Sequence, residues 1–297
     1  MVAIIDVSHV FHKSYFICRK NNESFSLENQ RDKTILIRKV VADLMNSIGK
    51  LFHAPENVFF CFDSESWRKW LEPEYKANRA EKEVGLKDTL DEVYSILLSL
   101  SYKVFKADGA EADDCISFIC YLFSDQQKII ISGDVDMHSL IDENTVVWNN
   151  NVQKPRIFLL NQDEFCYLNH PYEKILTEPK LVLFQKIALG CPTDNIAALI
   201  DKKGVGLKTI EKFYRKFVRM VEEPLIYALE LERESAIFFK YSRVDFEERL
   251  TINVQLVDLT IDNLPAEIVQ SMLDAYMKDI LSIFRVPKYM FGEVFEN

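Results

Sequence analysis

Glycine and proline are scarce, at eight and nine residues among 297, and no low-complexity or linker-like run separates one stretch from another. Small modules strung on flexible tethers are therefore not expected. The six cysteines (Cys18, Cys61, Cys115, Cys120, Cys166 and Cys191) include no CxxC pair and have apolar neighbours. Such thiols read as reduced and buried, which fits a cytoplasmic compartment and leaves no zinc site to expect. Charged residues interrupt every apolar run before the ~20 residues needed to span a bilayer, so no membrane partner is expected. The opening MVAIIDVSHVFHKSY lacks a basic stretch followed by a long apolar one and does not read as a signal peptide. No repeat at a solenoid period is visible. The histidines at 9, 12, 53, 138 and 170 form no HxxxH or triad-like grouping. His9 and His138 stand beside acidic positions, where a secondary role stays open.

The composition that remains is 48% apolar, 12% aromatic and 28% charged, enough for a sizeable core in one large domain or two moderate ones. The net charge of −10 speaks against nucleic acid as a partner if taken alone. Net charge does not say where charges lie, however, and an acidic pit can be reversed locally by bound cations.

The first two-thirds alternate strands with helices. Strands are expected at 3–7, 58–62, 102–106, 128–132, 145–148 and 156–160. Helices are expected at 34–52, 87–100, 111–123 and, briefly, 135–141. This alternation predicts an α/β fold with a mainly parallel sheet flanked by helices. Beyond about 180 the pattern turns helical, over 180–189, 207–217, 223–231 and 266–284. We therefore divide the chain into 1–178 and 179–297. The insertion at 64–87 is long, basic and aromatic, and an insertion of that kind is more often functional than structural.

Asp6 ends the first strand and Asp63 the second; Glu111, Asp113 and Asp114 follow the third, and Asp134 and Asp136 the fourth. Each has a plain alternative as a helix cap, a first-turn acid or a turn residue. Caps alone do not explain acids at four successive strand ends. In open parallel sheets those ends face one crevice, where ligands bind. Converging carboxylates repel one another unless cations sit among them, and hard oxygens suit Mg²⁺ or Mn²⁺. Two such ions can activate a water and offset the leaving oxygen of a phosphoryl displacement without any nucleophilic side chain.

The 64–87 insertion interleaves Arg68, Lys69, Lys76, Arg79, Lys82 and Lys87 with Trp67, Trp70 and Tyr75. Rings and cations together make a platform for single-stranded nucleic acid. A solvated charged helix is the competing reading, since Glu72, Glu74, Glu81 and Glu83 lie among the cations. Lys76 and Arg79, three apart on an expected helical face, suit a scissile phosphate. Further on, Gly204 and Gly206 open a helix carrying Lys208, where backbone N–H groups can hold a phosphate without reading a base.

Several segments together resemble the 5′-nuclease domains of bacterial DNA polymerases and their phage relatives. ISGDVDMHSLI (131–141) is similar to the family's Gly-Asp-x-Asp-Met segment, and GAEADDCIS (109–117) to its Glu-Ala-Asp-Asp helix start. FDSESWRKWLEPEYKANR (62–79) looks like its basic arch, IIDVSH like its first-strand motif, and GVGLKTI like its helix-hairpin segment. FEERLTINVQLVDLT (246–260) resembles the phage members, so the bacteriophage branch, typified by the RNase H-type 5′→3′ exonucleases of T-even phages, looks nearest.

The resemblance implies a PIN-like nuclease core with a helical arch and a C-terminal helix–turn–helix element. It implies a Mg²⁺-dependent 5′→3′ exonuclease and flap endonuclease, with Mn²⁺ able to substitute, that removes primers or flaps in DNA replication. The first ion would be held by Asp6, Asp63, Glu111 and Asp113 or Asp114, the second by Asp134, Asp136 and Asp194. Lys76 and Arg79 match the arch cations that engage the scissile phosphate, Tyr75 a base-stacking position, and Arg68 the arch's further cation. The 202–217 element, with Gly204, Gly206 and Lys208, would hold duplex, with K⁺ as a further ion. Implied partners are branched or nicked DNA and RNA–DNA duplexes, a sliding clamp and a single-strand binding protein, in the cytoplasm of a cell or phage host. A PIN-type ribonuclease and a DNA-binding factor with lost catalysis are the alternatives.

One position departs from the pattern. Where the family has Gly-Asp-x-x-Asp-Asn, this chain has Gly190-Cys191-Pro192-Thr193-Asp194-Asn195. A thiol is a poor ligand for Mg²⁺, so the second ion is expected to bind more weakly and to be better supplied by Mn²⁺.

Overall fold

The computed structural model describes residues 1–51, 54–55, 57–79, 84–149, 156–161, 164–168, 173–174, 180–200 and 243–284. Gly204, Gly206, Lys208, the helices expected at 207–217 and 223–231, and the segment after 284 lie outside the described residues. The chain begins with β1 (Val2–Asp6), α1 (Val7–Asn21), α2 (Gln30–Gly49) and β2 (Asn57–Cys61). It continues through α3 (Arg68–Leu71), α4 (Leu86–Ser99), β3 (Lys103–Phe105), α5 (Ala112–Leu122) and β4 (Lys128–Ile131). Then come β5 (Thr145–Asn149), β6 (Arg156–Asn161), β7 (Glu164–Leu168) and β8 (Glu173–Lys174). The remaining described α-helices are α6 (Lys180–Leu189), α7 (Arg243–Val257) and α8 (Ala266–Phe284).

The described residues fall into two compact units. One is drawn from Met1–Ser66, Glu83–Ile131 and Leu264–Asn297, the other from Trp67–Lys82 and Ser132–Asn263.

In the first unit four parallel strands run in the order β3-β2-β1-β4. β1 lies between β2 and β4, with Ile5 opposite both Phe60 and Ile131. The chain moves outward from β1 to β2 and β3, then returns to the other side of β1. That reversal creates a switch point at the strands' carboxyl ends, the place where open parallel sheets bind ligands. Every residue of β1 and β4 is buried, as expected of a parallel sheet covered on both faces. Phe105 stacks on Phe118 with centroids 5.7 Å apart, and Tyr276 of α8 meets both rings. Lys128 is buried too, its ammonium donating to the carbonyls of Phe123, Ser124 and Gln126 just past the end of α5.

The second unit pairs β5, β6, β7 and β8 antiparallel. Its apolar core gathers Tyr75, Phe184, Ile187, Leu199, Phe246 and Leu256, from the arch segment, α6, the stretch just after α6, and α7. Two expectations are corrected here. Residues 7–21 form a helix that sequence periodicity did not single out. The arch, moreover, is helical only over Arg68–Leu71 among its described residues, and 72–79 is a chain of turns. Pro73 lacks an N–H to continue a helix, and Lys76 sits in the left-handed region at φ 57°.

Candidate active site

In the first unit the acids are placed by the joints between strands and helices. β1 passes into α1 without a loop, so Asp6 is both the last residue of a strand and the N-cap of a helix. Its Oδ1 accepts the His9 N–H at 2.8 Å. Asp63, just past β2, accepts the Ala112 N–H at 2.8 Å and so ties that strand end to the start of α5. Glu111 caps α5 in a reciprocal box, its own N–H donating to Asp114 Oδ2 at 3.0 Å. Asp6, Glu111 and Asp114 are buried, whereas Asp63 and Asp113 are half-buried. Backbone donors and the helix N-terminus offset part of the cost of burying these charges. Capping and metal binding therefore do not compete, because a cap engages one oxygen of a group that has two.

Two thiols lie beneath the acids. Burial pushes Cys61 well up, reinforced by Cys115 and then Asp6. Burial does the same to Cys115, with Asp114 adding to it. Both stay protonated and leave the donor set oxygen-only.

The second unit carries its own acidic group. Asp134 caps the 3-10 helix Val135–Leu140, its Oδ1 accepting the Asp136 N–H at 3.0 Å. Carboxylate oxygens of Asp134 and Asp136 approach within 4.8 Å. Lys186 of α6 places Nζ 2.5 Å from Asp136 Oδ2 and 3.5 Å from Asp194 Oδ2. Asp194 also receives Arg79 Nη2 on Oδ1 at 2.6 Å and the Cys191 thiol on Oδ2 at 3.2 Å. Burial raises Asp194, but Lys186, the thiol, Lys76 and Arg79 together bring it below the usual carboxylate range. Asp136 is pushed up by burial and by Asp134, with Lys186 pulling the other way. Burial opposes the charge on Lys186, yet Asp136 and Asp194 outweigh it and hold the ammonium protonated more firmly than in an ordinary lysine. Burial lowers His138 to about 4 despite Asp134 nearby, so its ring is neutral at physiological pH.

The arch segment is stitched to the turn bearing Asp194. Lys76 N–H donates to Asp194 O at 2.9 Å, Asn195 Nδ2 to Glu74 O at 2.8 Å, and Asn78 Nδ2 to Pro192 O. Lys76 and Arg79 thus reach this acidic group through turns rather than on one helical face. Lys76 Nζ lies over the Tyr75 ring, 4.8 Å from its centroid.

Other expected contacts have structural duties instead. Arg68 is 1% exposed, with Nε donating to Leu256 O at 2.8 Å and its guanidinium over the Trp67 ring. Tyr75 is 4% exposed inside the apolar core. Neither is open to solvent, whereas Lys69, Trp70, Arg79 and Lys87 of the same segment are exposed, Trp70 at 63%. Arg68→Ala is accordingly expected to cost about 2–4 kcal/mol of unfolding stability by leaving a void and an unanswered carbonyl. Lys69→Ala is expected to cost almost nothing, and urea titration of the pair reads the contrast.

Lys186 was not singled out in the sequence. The signal for Lys186 was a single cation inside the apolar run Leu181–Leu189.

A mainly parallel sheet with capped acids at its strand ends defines an α/β fold of the PIN-like nuclease type. The profile of the family described as "5'-3' exonuclease, N-terminal resolvase-like domain" matches residues 1–166, and the chain belongs to that family. It is 27% identical to the 5'-3' exonuclease of Mycoplasmopsis pulmonis over 250 residues, 80% of this chain and 77% of that protein. Against the 5'-3' exonuclease of Buchnera aphidicola from Acyrthosiphon pisum it is 26% identical over 282 residues, 87% of this chain and 90% of the relative. The fold is similar to that of the T5 D15 protein crystallised with metal ions, with a TM-score of 0.63 at 21% identity, covering 95% of this chain and 98% of that one.

Proposed function

We propose that this protein is a divalent-metal-dependent, structure-specific 5′-nuclease, acting as a 5′→3′ exonuclease and flap endonuclease in primer removal during DNA replication. The observation that carries this reading is the set of carboxylates fixed at strand ends by helix caps, within a chain of the 5'-3' exonuclease family. The oxygen-only donors Asp6, Asp63, Glu111 and Asp113 suit a hard cation such as Mg²⁺ or Mn²⁺. Asp114, wholly buried in its capping box, is assigned to holding Glu111 in place. Asp134, Asp136 and Asp194 form the group at which the second ion of a two-ion mechanism would bind, more weakly than the first. When bound, such ions supply Lewis acidity toward phosphate oxygens and lower the pKa of a coordinated water.

The chain's own residues do the rest. Arg79 and Lys76 meet the charge of the scissile phosphate, Lys76 held at the 190–196 turn by its N–H on Asp194 O and Arg79 by its guanidinium on Asp194 Oδ1. Trp70 and Lys69 serve the single strand, the ring stacking on a base and the ammonium following the backbone. The 202–217 element, with K⁺, is assigned to the duplex behind the flap. The division into a nuclease core at 1–178, with its arch at 64–87, and a C-terminal region at 179–297 is kept as part of this reading. So are the bacteriophage branch, a cytoplasmic location, and a sliding clamp and single-strand binding protein as partners.

The test is cleavage of a 5′-labelled flap duplex with Mg²⁺, with Mn²⁺ and with EDTA, beside Asp134→Asn. Cutting near the flap junction is expected with either ion, and none with EDTA. The variant is expected to lose at least about a hundredfold in rate. Tight flap binding without cutting under any metal would instead support a binding factor of the same fold, and cutting of single-stranded RNA alone a PIN-type ribonuclease.

A further inference from the structure

The acidic group of the second unit is already supplied with cations from its own chain. Lys186 Nζ lies 2.5 Å from Asp136 Oδ2 and 3.5 Å from Asp194 Oδ2, so one ammonium bridges two of the three carboxylates. Arg79 holds Asp194 Oδ1 at 2.6 Å. Position 191, where the family pattern has a further carboxylate, offers a thiol that donates to Asp194 Oδ2 rather than an oxygen that could accept a metal. Both oxygens of Asp194 are therefore engaged by donors of the protein. The ammonium side chain is only 19% exposed and the Asp194 side chain 9%, so water screens the pair weakly. A divalent ion placed among these acids would meet Lys186 as a like charge a few ångströms away. The donor set does not fit a tightly held second ion.

We propose that Lys186 is a tethered cation standing in for the second metal ion, so that the enzyme without DNA holds one divalent ion tightly rather than two. This rests on the metal-dependent reading above and sharpens it: the first group takes the tight ion, and the second group is neutralised by the chain itself. Lys186 is thus a positioning residue, one that acts by holding Asp136 and Asp194.

The experiment counts Mn²⁺ bound to the full chain without DNA, from the paramagnetic resonance signal of free Mn²⁺ and from calorimetric titration. Wild type is expected to take up one tight ion. Lys186→Met is expected to bind a second ion at least about tenfold more tightly than wild type does, the scale set by removing one charge near the acids. The double variant Lys186→Met/Cys191→Asp is expected to bind two ions of comparable affinity. Lys186→Arg keeps the charge and is expected to keep the single ion, while Lys186→Met, similar in length but uncharged, separates the charge from a purely steric role. Should Lys186→Met fold poorly by circular dichroism, Lys186→Gln retains a donor to Asp136 without the charge and decides the matter. Two equally tight ions in wild type, or second-ion affinity unchanged when the charge is removed, would overturn the proposal. A wild type that binds no Mn²⁺ at all would overturn the metal-dependent reading instead.

Discussion

Asp63→Asn is expected to lower the rate of flap cleavage by about a thousandfold, equivalent to ~4 kcal/mol of transition-state stabilisation, while leaving the protein folded. The two halves of that expectation have separate causes. Asp63 accepts the Ala112 N–H through Oδ1, and an asparagine carbonyl can accept the same bond. The join between β2 and α5 should therefore survive. What asparagine removes is one negative charge from a group that includes Asp6, Glu111 and Asp113, and with it a strong oxygen ligand. Relief of like-charge repulsion acts in the opposite direction on the metal-free fold, so the melting temperature in EDTA should hold steady or rise slightly. Single-turnover cleavage and thermal melting of the same preparation read both halves. Activity within tenfold of wild type would remove Asp63 from the ion's ligands.

Gly190→Ala should be the most damaging single-atom-scale change in the second unit, costing about 3 kcal/mol or more of stability. Gly190 has φ +67°, and a Cβ there would lie 2.4 Å from Ile196 O and 2.6 Å from Ala198 N. Those are backbone atoms, and no rotamer change can move them aside. The segment also forms the bridge between Cys191 and Ile196, with N–H···O distances of 3.0 and 2.9 Å. Displacing it would carry Asp194 away from Lys186 and Arg79. Urea unfolding is the measurement, followed by cleavage on whatever remains folded at low temperature. A stability change below about 0.5 kcal/mol would mean that the turn yields far more easily than its contacts imply.

The α/β alternation and the acids at strand ends were legible because both follow from local pattern. A short apolar run that ends at or just before a carboxylate marks a buried strand, and Asp6, Asp63 and Asp134 carry that mark. α1 was hidden by the same feature that makes Asp6 useful. No turn residue separates β1 from the helix, so the strand-like run absorbed Val7. The apolar spacing of Val7, Val10, Phe11, Tyr15 and Cys18 was there to be counted. The arch misled for another reason. Alternating aromatic and basic residues look alike whether the rings stack on bases or pack in a core. Arg68 and Tyr75 went inward because α6 and α7 offered them a carbonyl and an apolar pocket, and no local pattern encodes such distant partners. Lys186 likewise acquires its meaning from Asp136, fifty residues earlier in the chain.

The reciprocal box between Glu111 and Asp114, and the cap that Asp6 gives α1, make these acids answerable to folding as well as to chemistry. A descendant that stopped cutting nucleic acid would still be selected to keep them, since losing a cap weakens a helix by about 1 kcal/mol whatever the protein does. Asp113 sits one position further into α5, where a carboxylate merely complements the helix dipole. Among relatives of this chain, drift at that position should therefore report the loss of catalysis earlier than drift at the caps on either side of it.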